Sequence, residues 1–133
     1  MTIWYLDSSA IVKFAVEEPE SAALAAWRAS QDTDDVPMTS ELSIAEVLRA
    51  VGRVGGDREV ALAHLDALDQ LVMDRDLLLT AGDLAPGELR TLDAIRLASA
   101  LAAGDDLGGV VTYDARVTAA ARDLGLTTLA PRP

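Results

Sequence analysis

TIWYLDSSAIVKFA, the stretch from Thr2 to Ala15, decides the fold of this chain. Its first part, Thr2–Leu6, is β-branched, aromatic and aliphatic, which predicts a strand. Asp7 follows directly, and two serines then provide capping groups for a short helix over Ala10–Val16. A strand that leads at once into a helix is the repeating unit of an α/β protein.

The same succession of strand and helix occurs near the end of the chain. GGVVT at Gly108–Thr112 predicts a buried strand, and Asp114–Leu124 predicts a helix that ends at Gly125. Before them, LDAIRLASALAA at Leu92–Ala103 is nearly all apolar, which predicts a helix buried on most sides. The pattern predicts an α/β fold with a central parallel sheet of about four or five short strands and helices on both faces. The length of 133 residues suits a single domain over residues 1–133.

The middle of the chain gives a weaker pattern. After Ser43, apolar residues recur with helical spacing and predict one amphipathic helix; they are Ile44, Val47, Leu48 and Val51. Asp57 caps a further helix that we expect to run to about Val72. The end of that run, Leu71–Met73, also suits a short strand.

Composition limits the classes of function. The chain has 22 acidic and 11 basic residues, and its net charge of −11 argues against gripping nucleic acid by bulk charge. It has no cysteine, which excludes disulfides, thiolate metal sites and a cysteine nucleophile. Neither a secretory signal nor an apolar run of the roughly 20 residues needed for a membrane span is present. We expect a cytoplasmic protein that does not bind membranes.

Two aspartates follow predicted strands. Asp7 comes directly after the first strand, and Asp114 lies two residues after the GGVVT strand. Binding sites in open parallel sheets form beyond the carboxyl ends of the strands, so both carboxylates are candidates for one site. Taken singly, each also suits a helix cap or a favourable charge in a first helical turn.

Two further acids lie in predicted helices. Asp93 belongs to the apolar helix, where an ionised carboxylate needs a partner. Arg96 three residues later, a bound cation and the helix dipole are three alternatives for that partner. Glu46 lies three residues after Ser43, and this spacing is that of a capping box. The local pattern therefore favours a helix cap at Glu46 over a role in a site.

The four acids make chemical sense in combination. Converging carboxylates repel one another and raise one another's pKa, which suits a site for hard divalent cations. Such a cation can lower the pKa of water and stabilise charge on a phosphate under attack. Ser8 and Thr112 add hydroxyl groups near the same strand ends, although Ser8 also suits a helix cap.

A phosphotransfer domain of the receiver or haloacid dehalogenase type is an alternative that also uses aspartates at strand ends with Mg²⁺. A receiver needs an acidic pair after the first strand, and the phosphatase needs a second aspartate two residues after the first. This chain has Ser8 and Ser9 after Asp7, so it lacks the further acids that both classes need there. A receiver also needs a lysine after a late strand, and the only lysine of this chain is Lys13.

Four segments resemble the VapC toxins of the PIN-domain ribonuclease family, in the order and spacing of that family. They are YLDSSAIVKF at Tyr5–Phe14, TSELSIAEVLRAV at Thr39–Val51, LRTLDAIRLASAL at Leu89–Leu101 and VVTYDARVTAAARDLGL at Val110–Leu126. The resemblance implies a PIN-like fold. It assigns an acidic metal site to Asp7, Glu46, Asp93 and Asp114, which overrides the local preference for a cap at Glu46.

The resemblance also implies an activity and partners. It implies an endoribonuclease that uses Mg²⁺, with Mn²⁺ as a substitute, and cleaves RNA by attack of an activated water on the phosphodiester. It further implies a homodimer that a cognate antitoxin binds, as in type II toxin–antitoxin pairs. A non-catalytic PIN-like binding module is the alternative on the same fold.

Arg96 departs from the family pattern, because many relatives carry histidine at this point, directly after LDAI. The resemblance leaves two roles open for this residue. Arg96 either contacts the RNA backbone or pairs with Asp93.

Overall fold

A computed structural model describes all 133 residues, Met1–Pro133, and contains one five-stranded parallel sheet. The strands are β1 (Ile3–Leu6), β2 (Val36–Ser40), β3 (Asp69–Leu71), β4 (Leu107–Val111) and β5 (Thr128–Leu129). They lie in the order β3-β2-β1-β4-β5, and every neighbouring pair is parallel. The predicted parallel sheet is confirmed, with the apolar β1 at its centre.

Seven α-helices connect and flank the strands. They are α1 (Ser8–Ala15), α2 (Ser21–Ala29), α3 (Leu42–Arg53), α4 (Arg58–Asp66), α5 (Arg75–Asp83), α6 (Thr91–Leu101) and α7 (Ala115–Asp123). None of them combines the length and the apolar character that a membrane-crossing helix requires.

The alternation of side chains along the strands divides the core between the two faces of the sheet. Leu6 and Val111 lie in one core with residues of α1 to α4, and their neighbours Tyr5 and Val110 lie in the other with α6 and α7. A smaller apolar cluster packs α5 against α6. Helix α6 is thus covered on two sides, which explains its nearly continuous apolar sequence.

One predicted element is wrong in its second half. Asp57 caps α4 as expected, since its Oδ1 accepts from the backbone N–H of Glu59 and Val60. The helix ends at Asp66, however, and the chain then forms β3 over Asp69–Leu71. The alternative of a short strand was correct in kind but placed two residues too late.

The carboxyl ends of β1, β2 and β4 lie side by side at one edge of the sheet. Asp7 follows β1, helix α3 begins just after β2, and Thr112 follows β4. This edge is where the order of the strands brings distant parts of the sequence together.

Candidate metal centre

Three of the four predicted acids converge on a single guanidinium group, that of Arg96. Its Nη1 donates to Asp93 Oδ1 at 2.7 Å, its Nη2 pairs with Glu46 Oε2, and its Nε lies 3.2 Å from Asp7 Oδ1. The Arg96 side chain is 10% exposed. The structure therefore brings Asp7, Glu46 and Asp93 together and places a cation of the protein itself between them.

Asp7 is held in place by two hydroxyl groups. Ser9 Oγ donates to Asp7 Oδ2 at 2.8 Å, and Thr112 Oγ1 donates to the same oxygen at 2.9 Å. The backbone N–H of Tyr113 in turn donates to Ser9 Oγ at 2.9 Å. One Asp7 oxygen is thereby fixed by a serine of α1 and by a threonine directly after β4, while Oδ1 faces Arg96. Thr112 therefore contacts Asp7 directly, and its supporting role in a metal site stays a prediction.

Asp93 is buried in the first turn of α6 and carries two arginine contacts. Besides Arg96 on Oδ1, the Nε of Arg116 donates to Oδ2 at 2.9 Å. The Asp93 side chain is 2% exposed, whereas that of Arg116 is 51% exposed. Pairing of Asp93 with Arg96, one of the open alternatives, is observed, and the place of Asp93 in the first turn of α6 also suits the helix dipole.

Glu46 does not belong to a capping box. Helix α3 begins at Leu42, so Ser43 lies inside the helix, and its buried hydroxyl hydrogen-bonds to Thr39 Oγ1 at 2.7 Å. Glu46 instead projects toward the site, where Arg96 pairs with it. The local expectation of a helix cap is therefore wrong, because the partner of Ser43 comes from β2 rather than from its own helix.

The pKa of Glu46 reflects this position. Burial raises the pKa of its carboxyl, the charge of Asp7 raises it further, and Arg96 opposes both without cancelling them. For Arg96, burial lowers the pKa of the guanidinium, but the three surrounding carboxylates outweigh it and raise that pKa overall. Arg96 is therefore a permanent positive charge in the site.

Asp114, the fourth predicted acid, has a structural role as well. It is the N-cap of α7, where its Oδ1 accepts from the backbone N–H of Arg116 at 2.8 Å and of Val117 at 3.3 Å. The cap explanation is thus correct for this residue. No hydrogen bond or ion pair reaches its Oδ2, and the residue lines the same cavity as Asp7 and Glu46.

The site opens into a cavity of about 320 Å³ with a mainly polar lining. Asp7, Glu46 and Asp114 contribute acids to it, and Arg49 and Arg53 of α3 contribute bases. Ser8 also lines this cavity, as the first residue of α1, and its hydroxyl lies beside Glu46. Ser8 is therefore not the N-cap that its position suggested, because Asp7 precedes the helix.

The donor set fits a hard divalent cation. Glu46 Oε1 is buried without a hydrogen-bond donor, and the only partner of the buried Asp7 Oδ1 is the ion pair with Arg96 Nε at 3.2 Å, although buried acceptors are normally satisfied. All candidate ligand atoms are carboxylate oxygens, the type that Mg²⁺ and similar ions prefer. A buried carboxylate oxygen without a donor, beside a second one that only an arginine charge holds, suits a site for a cation.

Another group of acids lies elsewhere. Asp32, Asp34 and Asp35 are close together in the segment before β2. Asp35 Oδ1 accepts from the backbone N–H of Thr2 at 3.1 Å, and Asp34 pairs with the amino terminus. These partners lie before β1, at the opposite edge of the sheet from Asp7, so this group is separate from the predicted site.

The sequence did not predict the contacts of two residues of the site, Ser9 and Arg116. Ser9 was noticed only as a capping group, yet it orients Asp7. Arg116 lies two residues after Asp114 in the sequence, yet its side chain pairs with Asp93. The contact of Arg116 with Asp93 joins residues 23 positions apart, and the sequence carries no local signal for it, whereas Ser9 lies only two residues after Asp7.

The family of the chain follows from comparison with known proteins. A family model for the PIN domain matches residues 4–123. Ribonuclease VapC46 of Mycobacterium tuberculosis is 50% identical over 137 residues, an alignment that covers 98% of this chain and 99% of that protein. The chain therefore belongs to the PIN domain family and, within it, to the VapC group. The resemblance found in the sequence is confirmed, and the receiver and phosphatase alternatives are excluded.

Solved structures agree with this fold. VapC20 of Mycobacterium tuberculosis, described as a sarcin-ricin loop cleaving toxin, has a TM-score of 0.73 at 20% identity and covers 98% of this chain and 99% of its own. A toxin-antitoxin complex from Klebsiella pneumoniae contains a chain with a TM-score of 0.68 at 16% identity, covering 98% of each chain. At these identities the likeness concerns the fold.

Proposed function

We propose that this chain is a metal-dependent endoribonuclease and the toxin of a type II toxin–antitoxin pair, with Mg²⁺ as its cation and Mn²⁺ as a substitute. The observation that carries the proposal is the convergence of Asp7, Glu46 and Asp93, in which Glu46 Oε1 is buried without a donor and Asp7 Oδ1 has only the Arg96 charge as a partner. The identity to a protein named as a ribonuclease supports RNA as the substrate.

The proposed metal ligands are Asp7, Glu46, Asp93 and Asp114. The first three offer oxygens that now face Arg96 or have no donor, and Asp114 offers the Oδ2 that its capping role does not use. When bound, a divalent cation supplies a water of lowered pKa and stabilises charge that builds on the phosphate. The four acids lie on one domain formed by residues 1–133.

Other side chains of the cavity have supporting roles. Thr112 and Ser9 fix Asp7 Oδ2, so that Oδ1 keeps its direction without a ligand. Arg49 and Arg53 lie one turn apart on α3 and line the cavity. Their positive charges provide local attraction for RNA phosphates, which the acidic chain as a whole does not provide.

The proposed partners follow from charge and from the relatives. We expect a cognate antitoxin with basic segments, because a chain of net charge −11 attracts such a partner by electrostatic steering. A solved relative of similar fold occurs in a toxin-antitoxin complex. We expect a homodimer in the cytoplasm, where an RNA substrate is available.

Cleavage of structured RNA by the purified protein tests the proposal. Cleavage is expected with Mg²⁺ or Mn²⁺ and is expected to stop with EDTA. Asp7→Asn removes the ligand charge at the centre and should abolish cleavage, whereas Asp34→Asn changes an acid at the opposite edge of the sheet and should preserve it.

Two outcomes would contradict the proposal. Cleavage that persists in EDTA or in Asp7→Asn would show that the acids do not hold a required cation. A folded wild type that binds RNA and metal yet cleaves nothing in the presence of Mn²⁺ would favour the non-catalytic module.

A further inference from the structure

The guanidinium group of Arg96 lies between the carboxylate oxygens of the proposed metal site. Each of its three guanidinium nitrogens contacts a different carboxylate, at 2.7 Å for Asp93 and 3.2 Å for Asp7, with Glu46 completing the set. No other side chain contacts all three acids. The guanidinium is therefore the resident cation of this site in the metal-free protein.

A metal ion and this guanidinium cannot both occupy the space between the three carboxylates. An Mg²⁺ ion holds its oxygen ligands at about 2.0–2.1 Å, and a planar guanidinium that bridges the same three carboxylates fills the space between them. We propose that Arg96 competes with the divalent cation for Asp7, Glu46 and Asp93, so that the metal binds only when the Arg96 side chain leaves the cluster. This inference rests on the proposed function, since it concerns the metal of that same site.

The strength of the competition follows from burial. The Arg96 side chain is 10% exposed, and its charge has left water for the three carboxylates. Charge-assisted hydrogen bonds of this kind are about twice as strong as neutral ones. The metal must break all of these contacts and return the guanidinium to the cavity, so Arg96 lowers the apparent affinity for the metal.

Two other arginines provide matched controls. Arg116 contacts Asp93 from outside, on Oδ2, with a side chain that is 51% exposed. Arg53 lines the same cavity without an ion pair to any of the acids. Loss of Arg53 should favour a cation only by removing a distant positive charge, and loss of Arg116 also frees one oxygen of Asp93. Loss of Arg96 should in addition remove the group that contacts all three acids.

Direct titration of Mn²⁺ into metal-free protein by calorimetry tests the inference. Arg96→Gln should bind Mn²⁺ at least about tenfold more tightly than the wild type, which corresponds to about 1.4 kcal/mol. Arg53→Gln and Arg116→Gln should shift the affinity by clearly smaller factors. The melting temperature should rise more on adding Mn²⁺ to Arg96→Gln than to the wild type, by mass action on the folded state.

A second variant separates competition from simple charge repulsion. Arg96→Ala leaves a space in which added guanidinium ion at a non-denaturing concentration can bind. The ion should weaken Mn²⁺ binding to Arg96→Ala competitively, while urea should have no such effect. If Mn²⁺ binding to this variant does not respond to guanidinium, metal and guanidinium bind side by side and the inference is wrong.

The outcomes distinguish this inference from the proposed function. Asp93→Asn should lose Mn²⁺ binding; if it binds Mn²⁺ like the wild type, the metal lies elsewhere and the proposed site fails. If Asp93→Asn loses the metal but Arg96→Gln binds it no more tightly than Arg53→Gln does, the site stands and the competition by Arg96 is refuted. Should Arg96→Gln not fold, the guanidinium response of Arg96→Ala decides.

Discussion

Replacement of Asp93 by asparagine tests both the packing and the charge of the site. Asparagine keeps the shape of the side chain and one carbonyl oxygen, but it removes the negative charge and presents an amide N–H₂ to one of the two arginines. Asp93 now pairs with Arg96 at 2.7 Å and with Arg116 at 2.9 Å. The variant therefore loses one of the two arginine contacts and weakens the other, without opening a cavity.

The expected loss of stability can be worked from these contacts. The pair with the half-exposed Arg116 contributes about 0–1 kcal/mol, and the buried hydrogen bond with Arg96 contributes about 1.5–3 kcal/mol. A buried charge left without any partner costs about 3–5 kcal/mol, but Arg96 keeps Asp7 and Glu46, so that limit is not reached. We expect the free energy of unfolding of Asp93→Asn to be about 2–3 kcal/mol lower than that of the wild type.

Thermal unfolding of the metal-free protein measures this loss. With an unfolding entropy of about 2.1 cal/mol/K per residue and 133 residues, the melting temperature should fall by about 7–11 °C. Asp123→Asn changes an exposed acid at the end of α7 that has no ion pair and should stay within about 0.5 kcal/mol of the wild type. RNA cleavage by the folded Asp93→Asn protein should be lost at the same time.

Two results would refute this reasoning. A metal-free Asp93→Asn protein that melts with the wild type would mean that the two arginine contacts contribute nothing to stability. A destabilised variant that still cleaves RNA at the wild-type rate would mean that Asp93 stabilises the fold but does not serve the metal.

Three further predictions concern other residues. Burial raises the pKa of Glu46 above its ordinary 4.5, so the protonated carboxyl stabilises the fold fully below pH 4.5, and this stabilisation is lost as the pH rises through the raised pKa. The metal-free wild type should therefore lose stability relative to Glu46→Gln over that rise, and a difference in melting temperature that is constant with pH would contradict this. Thr112→Val removes the hydroxyl on Asp7 Oδ2 and should lower stability by about 1–3 kcal/mol and weaken Mn²⁺ binding; calorimetry showing unchanged affinity would count against its orienting role. Gly109→Ala places a Cβ 2.9 Å from the Thr127 carbonyl oxygen and should lower the free energy of unfolding by about 1–3 kcal/mol. In Gly82→Ala the Cβ meets nothing within 4 Å, so this change in α5 should raise the free energy of unfolding by about 0.4–1 kcal/mol, and chemical denaturation of both variants checks the difference in sign.

The strongest apolar patterns of the sequence led to correct elements. Strands β1 and β4 and helix α6 are central in the structure, and their residues are apolar because they are covered on both sides. Strand β3 was placed incorrectly because it is an edge strand with Asp69 and Gln70 in it. Its pairing with β2 through backbone hydrogen bonds, rather than its side chains, makes it a strand.

The site could be predicted only as a set of acids. Asp7, Asp93 and Asp114 were recognisable from their positions next to strand ends or in an apolar helix. The role of Ser43 was misjudged because a capping box depends only on local spacing, while its actual partner, Thr39, lies on β2. Sequence separation hides such contacts, and the same applies to the pairing of Arg96 with Glu46 fifty residues away.

The contacts of Arg96 also change what the acids alone imply for stability. Converging carboxylates without a cation would repel one another, and on that basis the loss of two of them would stabilise the metal-free protein. Arg96 and Arg116 supply two positive charges within the cluster, so the removal of Asp7 and Asp93 would instead leave a buried guanidinium with Glu46 alone. Because a stranded buried charge costs more than the loss of an exposed pair, a double change of Asp7 and Asp93 to asparagine should destabilise the metal-free protein. The sign of that effect depends on an arginine in α6 that no count of acidic residues takes into account.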